Sequence, residues 1–192
     1  MYGPFRIEGF AIASTDVILA DPSGLMPSSL KLEADQQLLR AALDRADVLI
    51  HGRLSHEGQP NSHLRPRLIM TRKILGLAPV EGDERARCWN PAGASLEAAC
   101  AAVGRQKGLL AILGGTDVYQ HFLGIGYDAF LLCRAVMVCL HGGVPVFPAS
   151  RQGVSPETVL AGAGLHVAVA RALDEEVSRA IWVPEGAPAP DY

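Results

Sequence analysis

One carboxylate stands where a helix should be apolar. Over residues 33–45, Leu38, Leu39, Ala42 and then Ala46 recur at helical spacing, and Asp35 precedes the two leucines by three and four positions. Asp35 therefore falls inside the stripe that should face a core. A carboxylate turned that way costs several kcal/mol unless it is paired or protonated. A place in the first turn also complements the helix dipole, but a solvent-facing position would do that with less desolvation. Asp35 is read as a functional acid, because perturbed acids mark sites.

A second kind of chemistry is written at strand ends. Residues 109–113 are five apolar residues in a row, as in a strand buried on both faces. Gly114 and Gly115 then remove every Cβ, and Val118, Tyr119 and Phe122 form the apolar stripe of a helix that Thr116 or Gly115 can cap. Such a turn leaves N–H groups unpaired where an anion can approach closely. Two more apolar runs end in similar chemistry. Residues 47–51 lead into Gly52, Arg53 and Ser55, and residues 67–70 lead into Thr71, Arg72 and Lys73. Three strand ends carrying Gly, Arg, Ser and Thr match the edge where open α/β sheets bind ligands.

These positions need a sheet behind them. Residues 6–13 read as a first strand, residues 130–133 as another buried one, and Ser95 caps a helix carrying Leu96, Ala99, Cys100 and Val103. Residues 165–171 and 178–183 alternate about an acidic loop, as an antiparallel hairpin does. Residues 75–91 read as irregular, and 141–148 as a connection punctuated by Gly and Pro. The stretch 21–29 is rich in turn formers yet carries Leu25 and Met26, which suits a lid over a ligand. Together these predict one α/β domain over residues 1–184, with a mixed, mainly parallel sheet, flanking helices and an antiparallel C-terminal hairpin. Residues 185–192 are expected to be a loose tail.

Composition excludes several function classes. The chain has 192 residues, 49% of them hydrophobic, enough for one large core. A net charge of −3 without a run of Lys or Arg argues against nucleic acid. No signal-peptide order opens the sequence, and no uncharged apolar run reaches the roughly 18 residues that span a bilayer, so a cytoplasmic, soluble chain with no membrane partner is expected. Cys88, Cys100, Cys133 and Cys139 form no C-x-x-C pair, and three of them read as core thiols. His51, His56 and His63 have no Cys or carboxylate at ligand spacing, so no metal is expected.

The segment Ile112-Leu113-Gly114-Gly115-Thr116-Asp117-Val118-Tyr119-Gln120-His121-Phe122-Leu123 resembles the I-G-G-x-x-V-Y-x-x-F-L signature of the dihydrofolate reductase superfamily, which includes the pyrimidine reductase domain of riboflavin biosynthesis. The resemblance runs from about residue 10 to 148 and, more weakly, through the last hairpin. It implies a dihydrofolate reductase-like three-layer sandwich and NADPH as cofactor. Gly114, Gly115 and Thr116 would lie along the cofactor with Val118 and Tyr119 nearby, and Ala11 and Ile12 would meet the nicotinamide. Gly52, Arg53 and Ser55 resemble the family's G-R-x-T phosphate segment, and Thr71 with Arg72 its 2′-phosphate pair. Asp35 matches the active-site acid, while Met26, Leu39 and Arg65 would face substrate.

Departures bear on which substrate. Ser28 follows Met26-Pro27 where dihydrofolate reductases usually have Trp, and Leu39 stands where they place an aromatic. Ala13-Ser14-Thr15-Asp16, Leu39-Arg40-Ala41 and Gly142-Gly143 with Pro145, Phe147 and Pro148 resemble the riboflavin-type domain instead, without its zinc deaminase motif. The resemblance therefore favours a stand-alone 5-amino-6-(5-phosphoribosylamino)uracil reductase. Dihydrofolate reductase is the alternative, and a nucleotide-binding protein without efficient catalysis is the alternative of another class. A small heterocycle is the expected partner, and a homodimer is compatible with the resemblance.

Overall fold

Nine strands form one sheet in the computed structural model, which describes residues 3–54 and 64–192. In chain order the strands are β1 (Phe5–Ala13), β2 (Ile18–Ala20), β3 (Val48–Gly52), β4 (Arg67–Met70), β5 (Leu77–Val80), β6 (Asp83–Trp89), β7 (Gly108–Ile112), β8 (Ala129–Ala135), β9 (Val144–Pro145), β10 (Leu165–Ala172) and β11 (Val177–Pro184). The helices are α1 (Glu33–Arg45), α2 (Leu96–Ala102), α3 (Thr116–Ile125) and α4 (Pro156–Gly162). The large sheet has the order β10-β11-β8-β1-β7-β3-β4-β6-β5, and β2 pairs with β9 separately.

The six strands from β8 to β6 run parallel, and antiparallel partners close both edges. Strands covered on both faces need apolar residues on both, which is why β3, β7 and β8 read as unbroken hydrophobic runs. One face packs under α2, α3 and α4 through Ile7, Ile50, Leu110, Phe122, Phe130 and Leu160. The other packs under α1 through Phe10, Ala42, Leu43, Leu49, Ala111 and Leu131. The result is the expected three-layer, mainly parallel architecture with its C-terminal hairpin.

Three expectations need correction. Residues 75–91 are not irregular: β5 and β6 form a hairpin there, and β6 extends the parallel sheet beyond β4. Only two of the seven β6 residues are buried, so its sequence lacks the apolar run of an inner strand. Pro79 is tolerated because β5 is an edge strand, where a missing N–H costs no inter-strand bond. Residues 185–192 carry no regular structure, but they are not loose. Ala187, Ala189 and Tyr192 pack on the α1 face, and the Tyr192 ring meets Phe10 edge-on at 5.8 Å. The connection over residues 141–148 contains β9. Among the described residues no helix is long and apolar enough to cross a membrane.

Candidate active site

Asp35 sits in the first turn of α1, whose apolar stripe fixes which way that turn faces. Ala42 and Leu43 are buried against the sheet, and the same side of the helix carries Asp35 down to 5% exposure. It lines a cleft of about 460 Å³ between α1 and the carboxyl ends of β1, β7 and β8. The walls are mostly apolar, with Ala11, Ile12, Leu38, Leu39, Leu113 and Leu131 among them. Burial pushes the Asp35 carboxyl from 3.8 up to about 6, and the Cys133 thiol and the Gln36 amide offset part of that rise. Gln36 Nε2 lies 3.5 Å from Asp35 Oδ2, a long contact that stabilises the anion little.

Tyr119 closes the floor. Its hydroxyl donates to the main-chain oxygen of Phe10, and its ring packs against Phe130 and Phe147. Burial, and then the charge of Asp35, raises the Tyr119 phenol above its ordinary value, so it stays protonated beside the acid. The rim is made by residues 21–29. Asp21 Oδ1 accepts from the Ser23 amide at 2.8 Å and the Leu25 amide at 3.1 Å, and this Asx turn aims Leu25 and Met26 over the cleft. Met26 and Leu39 thus line the same cleft as Asp35.

The glycines form the adjoining wall. The Gly114–Gly115 peptide is cis, and the Gly114 main-chain oxygen accepts from the Gly52 amide at 2.7 Å, which ties β7 to β3. A Cβ built on Gly115 meets nothing within 4 Å, whereas one on Gly114 would press on the Tyr119 ring and hydroxyl at 2.9–3.0 Å. Gly115 is also the N-cap of α3, so open space faces the unpaired amides of a ten-residue helix. Thr116 does not cap; its hydroxyl donates to the main-chain oxygen of Pro145, which fixes the helix to β9. Val118 packs within 3.6 Å of where a Gly52 Cβ would stand.

The cationic residues follow at the next strand ends. Thr71 is buried just past β4, and its hydroxyl accepts from the Lys73 amide at 3.2 Å. Arg72 is 87% exposed at the side chain and reaches Asp117 of α3 at 3.0 Å. Arg53 is exposed just past β3, and the Ser55 expectation, like His56 and His63, lies outside the described residues. The structure therefore lines up Gly52, Arg53, Thr71, Arg72, Gly114 and Gly115 along one edge, next to the cleft that holds Asp35. That edge offers bare backbone where close approach is needed, a helix start, and exposed guanidinium groups, the chemistry that suits a phosphate.

Arg65 is not brought in. Its guanidinium pairs with Asp44 at 2.8 Å, near the far end of α1, and it does not line the cleft. Sequence reasoning missed Cys133, Phe10 and Lys31, which do line it. Cys133 was readable as the end of a buried strand, but nothing local said that the strand ended beside the acid.

The fold and this edge define an α/β protein of the dihydrofolate reductase-like architecture. Among solved structures, the chain is similar to a protein from Shewanella sp. PV-4 assigned to riboflavin biosynthesis, with a TM-score of 0.62 and 19% identity over 93% of this chain and 98% of that one. It is also similar to the diaminohydroxyphosphoribosylaminopyrimidine deaminase/5-amino-6-(5-phosphoribosylamino)uracil reductase of Thermotoga maritima, at TM-score 0.63 and 15% identity over 94% of this chain and 56% of that one. The third is the dihydrofolate reductase of Enterococcus faecalis complexed with NADP(H), at TM-score 0.59 and 14% identity over 94% and 96%. No protein-family model matches the sequence, and no curated protein matches it.

Proposed function

We propose that this chain is an NADPH-dependent reductase of a pyrimidine-like heterocycle, acting as a 5-amino-6-(5-phosphoribosylamino)uracil reductase of the riboflavin-biosynthesis type. The observation that carries this is Asp35, a buried acid in the wall of an apolar cleft beside a glycine-lined helix start. The reductase activity of the Thermotoga neighbour and the NADP(H) bound by the Enterococcus enzyme support the same reading. NADPH, when bound, supplies the hydride.

The chain's own residues bind, orient and protonate. Gly52, Gly114 and Gly115 let a dinucleotide backbone approach the strand ends, while Arg53, Thr71 and Arg72 offer donors to its phosphates. Ala11, Ile12 and Leu113 provide a flat apolar surface for a planar ring, and Leu39 and Met26 cover it. Asp35 holds a proton up to a pH of about 6 and can donate it from Oδ to the heteroatom next to the reduced carbon. Bulk water restores that proton. Leu25 and Met26 shield the step from solvent, which strengthens every polar contact inside.

The test is NADPH oxidation by the purified chain with 5-amino-6-(5-phosphoribosylamino)uracil or with dihydrofolate. Turnover of the uracil and little of the folate is expected, since Ser28 and Leu39 stand where dihydrofolate reductases place aromatic residues. NADPH binding with oxidation by neither substrate would overturn the reading and leave a nucleotide-binding protein without catalysis.

A further inference from the structure

The strand order β7-β3-β4 separates two places where a phosphate can be held. The first is the bare turn from β7 into α3, where Gly115 opens onto empty space at the start of a ten-residue helix. The second lies two strands along the edge, roughly 10 Å away, where Thr71 and Arg72 follow β4. Thr71 Oγ1 accepts from the Lys73 amide and can still donate its own proton, and Arg72 supplies the charge. A nucleotide with a diphosphate and a separate phosphate monoester offers a group to each place. One with the diphosphate alone offers a group to the first.

A negative charge stands at the second place. Asp117 is the acid in the first turn of α3, and Arg72 Nη2 donates to its Oδ2 at 3.0 Å. Both side chains are mostly in water, so the pair adds little to the fold. A carboxylate near a helix start is favourable by itself. Its cost appears when an anion arrives. A phosphate monoester that takes Arg72 leaves the Asp117 carboxylate beside it, and like charges at contact range repel.

We propose that Asp117 is a specificity-determining residue that narrows the preference for NADPH over NADH. This rests on the reductase reading for the identity of the nucleotide and not on any step of the reduction. In the empty protein Asp117 takes the place of the phosphate monoester as the partner of Arg72. When that phosphate binds, the charges of Arg72 and Asp117 cancel, while the phosphate itself carries about −1.5 to −2 charges. A neutral side chain at position 117 leaves the guanidinium uncompensated until the phosphate meets it. Asp117 therefore acts against the group that distinguishes the two cofactors, and acts less on the diphosphate that they share.

Calorimetric titration of the full chain tests this without turnover, with NADPH and NADH as probes. Asp117→Asn should tighten NADPH by roughly three- to tenfold, the size of one screened charge contact at a surface, and should tighten NADH by less than about twofold. Asp117→Glu keeps the charge and should keep the wild-type ratio of the two affinities. Asp117→Ser repeats the neutral variant if Asp117→Asn does not fold. Salt supplies a second readout that a merely structural role would not move. Between about 20 mM and 500 mM the Debye length falls from roughly 20 Å to about 4 Å, so most of the difference between wild type and Asp117→Asn should disappear.

An unchanged ratio of NADPH to NADH affinity in a folded neutral variant would overturn the role of Asp117. Equal gains for both nucleotides, or an Asp117→Glu variant that behaves like Asp117→Asn, would overturn it as well. A preference that depends on Asp117 in a chain that reduces nothing would refute the reductase reading and leave this role standing. A chain that binds neither nucleotide would refute both.

Discussion

Asp35 was legible because it broke a pattern, and its position makes the sign of its effects calculable. The folded protein holds the carboxyl proton up to about pH 6, whereas the unfolded chain releases it near 3.8. Between those values the native state binds more protons, so stability falls as pH rises and the penalty is complete above about 6. The shift corresponds to about 3 kcal/mol at most. Asp35→Asn removes the penalty, so the variant should be about 1–3 kcal/mol more stable than wild type above pH 6 and no more stable near pH 4. The same variant should bind NADPH normally and lose about 10²–10⁴-fold in turnover, together with the fall in kcat/KM expected as pH passes 6. Denaturant midpoints and steady-state rates across pH check both; lost stability with intact turnover would make Asp35 a structural residue. Arg72 carries a separate prediction. Its guanidinium is free in solvent except for exposed Asp117, so it can swing to a 2′-phosphate at little cost. Arg72→Ala should weaken NADPH by roughly 10–100-fold and leave NADH unchanged, as paired titrations would show.

At the scale of the element, the turn from β7 into α3 divides its two glycines by role. Gly114 has a φ of +100°, and a Cβ there would strike Tyr119. Gly114→Ala should therefore cost about 1–3 kcal/mol of stability whether or not a ligand is present. Gly115 has an ordinary φ of −73° and opens onto empty space. Gly115→Val should cost only about 1 kcal/mol, from a poorer helix cap, yet abolish NADPH binding because the branched side chain fills the groove. Thermal unfolding and nucleotide titration on both variants separate the roles; unchanged affinity in Gly115→Val would reduce the pair to a turn. This turn was readable because two apolar runs flank it and the glycines stand out. Helix α4 was less so: Ser155 caps it, accepting from the Thr158 amide at 3.1 Å, and Pro156 opens it, but seven residues are too few to show an apolar period. Strand β6 was hidden for a different reason. Asp83, Glu84, Arg85 and Arg87 give it the composition of a loop, and only its pairing with β4 and β5 makes it a strand.

At the scale of the molecule, what the sequence did not reveal are contacts between residues far apart along it. Glu8 is a carboxylate buried in the central strand β1, a position that local pattern alone would assign to an apolar residue. Its partners are Arg6, two residues away, and the hydroxyl of Tyr192, at the other end of the sequence. The tail looked loose because Ala, Gly and Pro dominate it, and composition could not foresee the three arginines that hold it. Arg45 lies over the Tyr192 ring at 4.6 Å and donates to the Asp191 main-chain oxygen at 2.9 Å, while Arg171 and Arg179 take the Tyr192 oxygen. Tyr192 thereby joins α1, β1 and the β10–β11 hairpin into one face. Burial, and then the adjacent Glu8 carboxylate, raises the Tyr192 phenol above its ordinary value, so it remains a donor to Glu8 at physiological pH. Tyr192→Ala removes the ring from Phe10 and leaves the Glu8 anion with one partner fewer in a buried position. The cost should be about 1–3 kcal/mol, the price of an orphaned buried acceptor, whereas a change in a truly loose tail stays within about 0.5 kcal/mol. Chemical denaturation of wild type and variant measures it, and a variant as stable as wild type would restore the loose tail.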